Sequence, residues 1–212
     1  MRNPLYVYIV FLSFNLTTAQ TSEAAMKLLD DVSKNIASYN NLSFDFSYVL
    51  ENRQEKIKQE TSGSVTLEGD RYKLMYLGAE QLFDGEKTYT IIPENEEITI
   101  NGAEEDGGLG INPTELLNFY KEGYDYQWDI KQNIFGRPIQ FVKLIPSDEN
   151  KDISYLLLGV DILNKTIYRL IEIGSNSTRT TLTLSNQITN INLAEDFFKF
   201  DASRYPDYFI NN

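Results

Sequence analysis

The feature that most limits what this chain can fold into is a series of short, aromatic-rich segments, entered through one amphipathic helix, in which large apolar and polar residues alternate. Alternation of this kind places one set of side chains on each face of a pleated strand. Leu42, Phe44, Phe46, Tyr48 and Leu50 alternate with Ser43, Asp45 and Ser47, which predicts a strand with one apolar face. The charged stretch 51–60 reads as an exposed strand extension or hairpin, and Val65 and Leu67 mark the next strand. Gly69-Asp70 turns the chain into Tyr72, Leu74 and Tyr76. Asp84-Gly85 is a hairpin signal between 81–83 and 87–92, and residues 93–97 turn again into 98–100. A second series covers 126–132, 139–145, 153–160, 166–173 and 180–184. Segments so spaced form a meander in which sequence neighbours pair. The expected fold class is mainly β with α, built on a curved antiparallel sheet with no internal domain boundary.

The helix is read from Ala25, Leu28, Leu29, Val32, Ile36 and Tyr39, which fall on one stripe over residues 21–40. Thr21 or Ser22 can cap its start, and Asn40-Asn41 can end it. Lys27, Asp30, Asp31 and Lys34 occupy the solvated side. An apolar stripe must cover something, and the strands that follow are the candidate.

Residues 1–19 have the pattern of an export signal. Arg2 gives a positive start, residues 5–16 are apolar apart from Ser13 and Asn15, and Thr17-Thr18-Ala19 supplies small residues before Gln20. Cleavage near Ala19-Gln20 would leave a single domain, 20–212, in the periplasm. No cysteine follows the signal, so neither a lipid-modified cysteine nor a disulfide is available.

The formal charge is −12, and loss of Arg2 with the signal leaves 18 basic against 31 acidic residues, or −13. That balance argues against nucleic acid and against resting on an anionic membrane. It suits a body that diffuses between surfaces without sticking to them.

The chain has no histidine and no cysteine, which excludes Ser-His-Asp triads, thiol catalysis, H-E-x-x-H zinc sites and cysteine-bound clusters. Gly107-Gly108-Leu109-Gly110 is glycine-rich, but Ile100 before it and Pro113 after it do not give the strand–loop–helix unit of a phosphate loop. Asp148-x-Asn150-x-Asp152 opens like a calcium loop, but Ile153 and Gly159 stand where glycine and glutamate are required. No catalytic residue, metal site or cofactor is expected, and the chain reads as a binding protein rather than an enzyme. A hydrolase using paired carboxylates is the competing class, but 31 acidic residues give many chance pairs.

Aromatic residues make up 13% of the chain. Two readings fit: aromatics favour strands, and aromatics line ligand pockets. Between the two series lies an acidic, glycine-rich stretch, 104–110, followed by Asn112-Pro113-Thr114-Glu115, with an N-cap, proline at N1 and glutamate at N3. Leu116, Leu117, Phe119 and Tyr120 then make a short apolar helix. A loop leading into such a helix reads either as a lid or as a plain connector.

Taken in order, these motifs resemble the periplasmic outer-membrane lipoprotein carrier family (LolA-like). The resemblance rests on Asn41-Leu42-Ser43-Phe44-x-Phe46, Gly63-Ser64-Val65-Thr66-Leu67 and Asp70-Arg71-Tyr72-Lys73-Leu74. It continues with Phe83-Asp84-Gly85-Glu86-Lys87-Thr88-Tyr89, Pro93, Glu96 and Asn112-Pro113, and ends with Phe198-Lys199-Phe200 and Tyr205-Pro206. It implies an unclosed β-barrel with a helical lid over an apolar cavity. It also implies a monomeric shuttle that takes lipidated proteins by their acyl chains from an inner-membrane lipoprotein-releasing transporter. Delivery is to the outer membrane, through a receptor where one exists. A carrier or sensor of another lipid or acyl intermediate on the same fold is the alternative. Known members latch the lid with an arginine just after the Gly-x-Leu strand. Here Glu68 and Gly69 occupy that place and Arg71 comes later, so the role is not transferred. On this reading Phe44, Phe46, Tyr72, Leu74, Tyr89 and Ile91 line the cavity by alternation, and Leu116, Leu117 and Phe119 belong to the lid. Each position is equally open to a plain core role.

Overall fold

The structure is a computed structural model that describes residues 15–102, 112–148 and 152–211. The glycine-rich acidic stretch 104–110, the middle of the turn at 148–152 and the first fourteen residues lie outside the described residues. Helix α1 (Asn15–Ala37) leads into β1 (Leu42–Asn52), β2 (Ile57–Glu68), β3 (Arg71–Tyr76), β4 (Ala79–Phe83), β5 (Lys87–Ile92) and β6 (Glu97–Gly102). A one-turn helix α2 (Pro113–Leu116) and a 3-10 turn (Phe119–Lys121) precede the second series. That series is β7 (Tyr124–Ile134), β8 (Arg137–Pro146), β9 (Ile153–Asp161), β10 (Thr166–Gly174) and β11 (Thr178–Thr189), with a terminal β12 (Phe209–Asn211).

The strands form one sheet in the order β12-β6-β5-β4-β3-β2-β1-β11-β10-β9-β8-β7. It is two meanders joined side by side. The joint is antiparallel pairing of β1 with β11, Leu42 opposite Thr189 and Asn52 opposite Thr178. β7 and β12 lie at opposite margins and do not pair, so the sheet is an unclosed half-barrel. Sequence alternation gives each strand of the meanders, but neither the β1–β11 joint nor β12, which pairs in parallel with β6.

Helices cover one face. Ala25, Leu28, Leu29 and Val32 of α1 are buried in the main apolar cluster with Phe44, Phe46, Val65, Leu74, Leu144, Leu158 and Leu184. Each of the leucine, valine and phenylalanine side chains contributes about 1.5–3 kcal/mol when fully buried. α1 packs on β7 and β10, and α2 packs on β2 and β3. The end of α1 is pinned by Asn35, whose Nδ2 donates to the carbonyls of Asn164 at 2.9 Å and Lys165 at 3.0 Å. Buried Asp161 shapes that turn by accepting the backbone N–H of Leu163 at 3.0 Å. α1 begins before the expected Thr21 and runs through Ala19-Gln20.

The other face carries two separate coverings. On β8–β10, Ile139, Phe141, Tyr168 and Ile171 form a small cluster, with the guanidinium groups of Arg137 and Arg169 4.7 and 4.9 Å from the centre of the Tyr168 ring. On β3–β6 the segment after β11 lies as an aromatic strap. Phe200 stacks on Tyr89 at 4.5 Å and on Tyr205 at 5.8 Å, while Arg71 sits over Phe198 and pairs with Glu68.

Candidate functional site

Between the helix-covered face and α2 lies an apolar hollow of 340 Å³. Its wall is made by Phe46 and Tyr48 of β1, Val65 of β2, Leu170 of β10 and Leu182 of β11. Pro113 and Leu116 close it from above. Cross-strand register explains the arrangement. Leu170 pairs with Leu182, and Leu182 pairs with Tyr48, so one row of apolar side chains runs across three strands. One row inward, Phe46 lies opposite Gly63, and a β-carbon at Gly63 would sit 2.5 Å from its ring. Glycine there leaves the space that the Phe46 ring occupies, 5.7 Å from Tyr76.

One charged group lines this space among the described residues, Glu172 of β10. Burial pushes its carboxyl above the ordinary value of 4.5. Thr180 of β11 is directly opposite. Tyr124 of β7 is close enough to feel the charge: burial raises its phenol first, and Glu172 raises it further.

The lid starts with a side-chain cap. Asn112 Oδ1 accepts the N–H of Thr114 at 3.1 Å, and Asn112 Nδ2 donates to the Glu115 carboxylate at 3.1 Å. Pro113 occupies N1, as its sequence predicts. The helix is shorter than expected. Asn118 Nδ2 donates to the Thr114 carbonyl at 3.1 Å, taking the place of a backbone N–H, and the chain tightens into a 3-10 turn. Two hydroxyls then tie the lid down. Tyr120, 1% exposed, hydrogen-bonds Ser33 of α1 at 3.0 Å. The Tyr126 hydroxyl of β7 lies 2.9 and 3.0 Å from the carbonyl oxygens of Tyr120 and Lys121 and shares its proton between them. Beyond the lid a second space, 270 Å³, opens between Leu117, Ile36 and Leu67.

The expected site residues separate into groups. Phe46 and Leu116 line the hollow. Phe44, Tyr72 and Leu74 are buried in the wall on the same face, and Leu117 is buried beside the second space. Phe119 is half-buried, edge-on to Tyr120 at 5.7 Å and Tyr124 at 6.1 Å. Tyr89 and Ile91 face the other way, toward Phe200. The loop 84–86 sets this parity, pairing Tyr89 with Leu82 and Thr90 with Gln81. Buried Thr88, Thr90 and Gln81 therefore hold the helix-side positions there. Alternation and the helix pattern bring in Tyr48 and Tyr120 without a site role, and Leu170, Leu182, Glu172, Ser33 and Tyr126 are not among the expected site residues. Alternation marks Leu170 and Leu182, but an irregularity between Ile167 and Arg169 hides which face they take. Arg71 lies at the strap, away from the lid.

No group of three or more His, Cys, Asp or Glu among the described residues could hold a metal ion. No helix among them is long and apolar enough to cross a membrane.

No family model matches the chain, and no curated protein does. Several solved structures resemble it. An uncharacterized conserved protein from Thermus thermophilus matches with a TM-score of 0.56 and 11% identity, over 88% of this chain and 98% of that one. LprF from Mycobacterium bovis matches with 0.54 and 14% identity, over 82% and 98%. A LolA superfamily protein from Nitrosomonas europaea matches more loosely, with 0.43 and 11% identity, over 83% and 97%. At these identities the likeness is one of fold alone.

Proposed function

We propose that this protein is a periplasmic, non-catalytic carrier that binds the acyl chains of lipoproteins in the lidded hollow and shuttles them from the inner to the outer membrane. The observation that carries the reading is the 340 Å³ apolar space between Phe46, Leu170, Leu182 and the lid residue Leu116. Ligand pockets span about 300–1,000 Å³, so with the lid down only a short ligand or part of an acyl chain fits. A longer chain has to displace the lid. Each methylene gains about 0.8 kcal/mol on leaving water, whereas a neutral hydrogen bond of the kind that holds the lid is worth about 0.5–1.5 kcal/mol net. A few methylenes therefore offset the Tyr120–Ser33 and Tyr126 bonds. The second space beside Leu117 gives the lid somewhere to move. Apolar contact with cargo then replaces apolar contact with Leu116, which keeps net affinity moderate and release feasible.

In this scheme residues 1–19 direct export and are removed near Ala19-Gln20, and 20–212 acts as a monomer. Cargo comes from a lipoprotein-releasing transporter and passes to an outer-membrane receptor where one exists. A second reading, transport of another lipid or acyl intermediate, is favoured by Glu172, a charge that a purely hydrocarbon cargo does not need. The test is Leu116→Glu. Leu116 is only partly buried, so the variant is expected to stay folded by circular dichroism while losing release of lipoproteins from spheroplasts. Normal release by the folded variant removes the reading. Mass spectrometry of co-purifying lipids separates the two cargoes.

A further inference from the structure

We propose that Glu172 and Thr180 form a headgroup subsite in the hollow that selects acyl ligands bearing an ammonium group and turns away free carboxylates. The inference rests on the carrier reading above and specifies the cargo chemistry. Glu172 is half-buried, with Leu170 two residues away on its own strand and Leu182 across from Leu170. Among the described residues it makes no hydrogen bond and no ion pair, and none of those that line the hollow is a lysine or an arginine. Among the described residues, two neutral groups lie near it: the Thr180 hydroxyl directly opposite and the Tyr124 phenol. A carboxylate drawn out of water without a partner is costly, and burial shows its effect by favouring the protonated form. A ligand ammonium placed beside it while its chain lies along Phe46 and Leu182 supplies the missing partner and adds a charge-assisted hydrogen bond. A ligand carboxylate meets like charge at the same point.

The same ammonium chemistry occurs on a free amine-headed lipid and on the uncapped α-amino group of a lipidated N-terminal cysteine. Displacement of a fluorescent apolar probe from the full protein at neutral pH reads the preference. Dodecylamine is expected to bind more tightly than dodecanol by about tenfold, and dodecanoate more weakly than dodecanol. Glu172→Gln is expected to bring the three within about twofold of one another. Glu172→Asp keeps the order, and so does Glu94→Gln at an exposed carboxylate, which separates the site from the overall charge. Equal binding of the three ligands to the wild type, or an unaltered order in Glu172→Gln, overturns the subsite and leaves the carrier standing. Failure of all three to displace the probe overturns both. A diacylglyceryl-cysteine peptide that binds better with a free than with an acetylated α-amine identifies a lipidated chain as the cargo. Exclusion of both peptides with tight dodecylamine binding identifies a free lipid, and equal binding of the two peptides overturns the ammonium preference.

Discussion

At Asp84 and Glu172 the same kind of side chain is pushed in opposite directions. Burial alone would raise the Asp84 carboxyl, but it accepts the N–H groups of Lys87 and Glu86, each at 2.8 Å, and the Tyr89 hydroxyl at 3.1 Å. The donors win, and the group lies below the ordinary 3.8. Its stabilisation is therefore present above the unfolded-state value and is lost as pH falls through the folded one. Glu172, raised by burial, holds its proton more tightly when folded, so its ionisation costs stability as pH rises from about the unfolded value upward. Urea unfolding against pH checks both. Asp84→Ala is expected to be less stable than wild type at pH 7, with the gap closing in acid. Glu172→Gln is expected to be more stable than wild type at pH 7, with the gain gone below the unfolded carboxyl range. At this scale the sequence made the Asp84-Gly85 turn legible, since only a short side chain and a glycine at φ 107° suit that loop. It left the Glu172 environment hidden, because a charge in a strand reads as solvent-facing until its cross-strand neighbours are known.

The lid shows how an element can be legible in its start and opaque in its fastening. Asn112, Pro113 and Glu115 announce a helix start, and the structure has them in those roles. The fastening joins Ser33, Tyr120 and Tyr126, which lie on three elements, and no local pattern links them. Tyr120→Phe removes one bond of about 0.5–1.5 kcal/mol and keeps the ring in place. Ser33→Ala removes the same bond from the other side. The two changes are expected to be non-additive in a double-mutant cycle, each speeding hydrogen exchange across 113–121 and neither altering the far strands. Full additivity would separate the two hydroxyls. The same limit explains Tyr89 and Ile91. Alternation fixes that they share a face, but the length of loop 84–86 decides which face.

Across the whole molecule, alternation within a strand was readable and pairing between distant strands was not. Each meander follows from turn chemistry, while the β1–β11 joint links residues far apart in the chain, where alternation carries no pairing information. β12 was invisible for a related reason: three residues in parallel with β6 are too short to show a period. Its effect is nevertheless global, because it occupies the edge that β6 would otherwise expose. Deleting 206–212 removes β12 and the Tyr208 ring packed on Tyr205. The shortened protein is expected to melt at a lower temperature and to self-associate through β6 in size-exclusion chromatography.

A sealed cylinder has a girth dictated by its strand number and stagger. Nothing welds β7 to β12 here. On the proposed carrier reading, a sheet that can uncoil slightly at these margins would admit stout passengers by the same wall that grips slender ones. On that reading, such a vessel would fit its capacity to the load through the missing seam rather than through any softness in its packing.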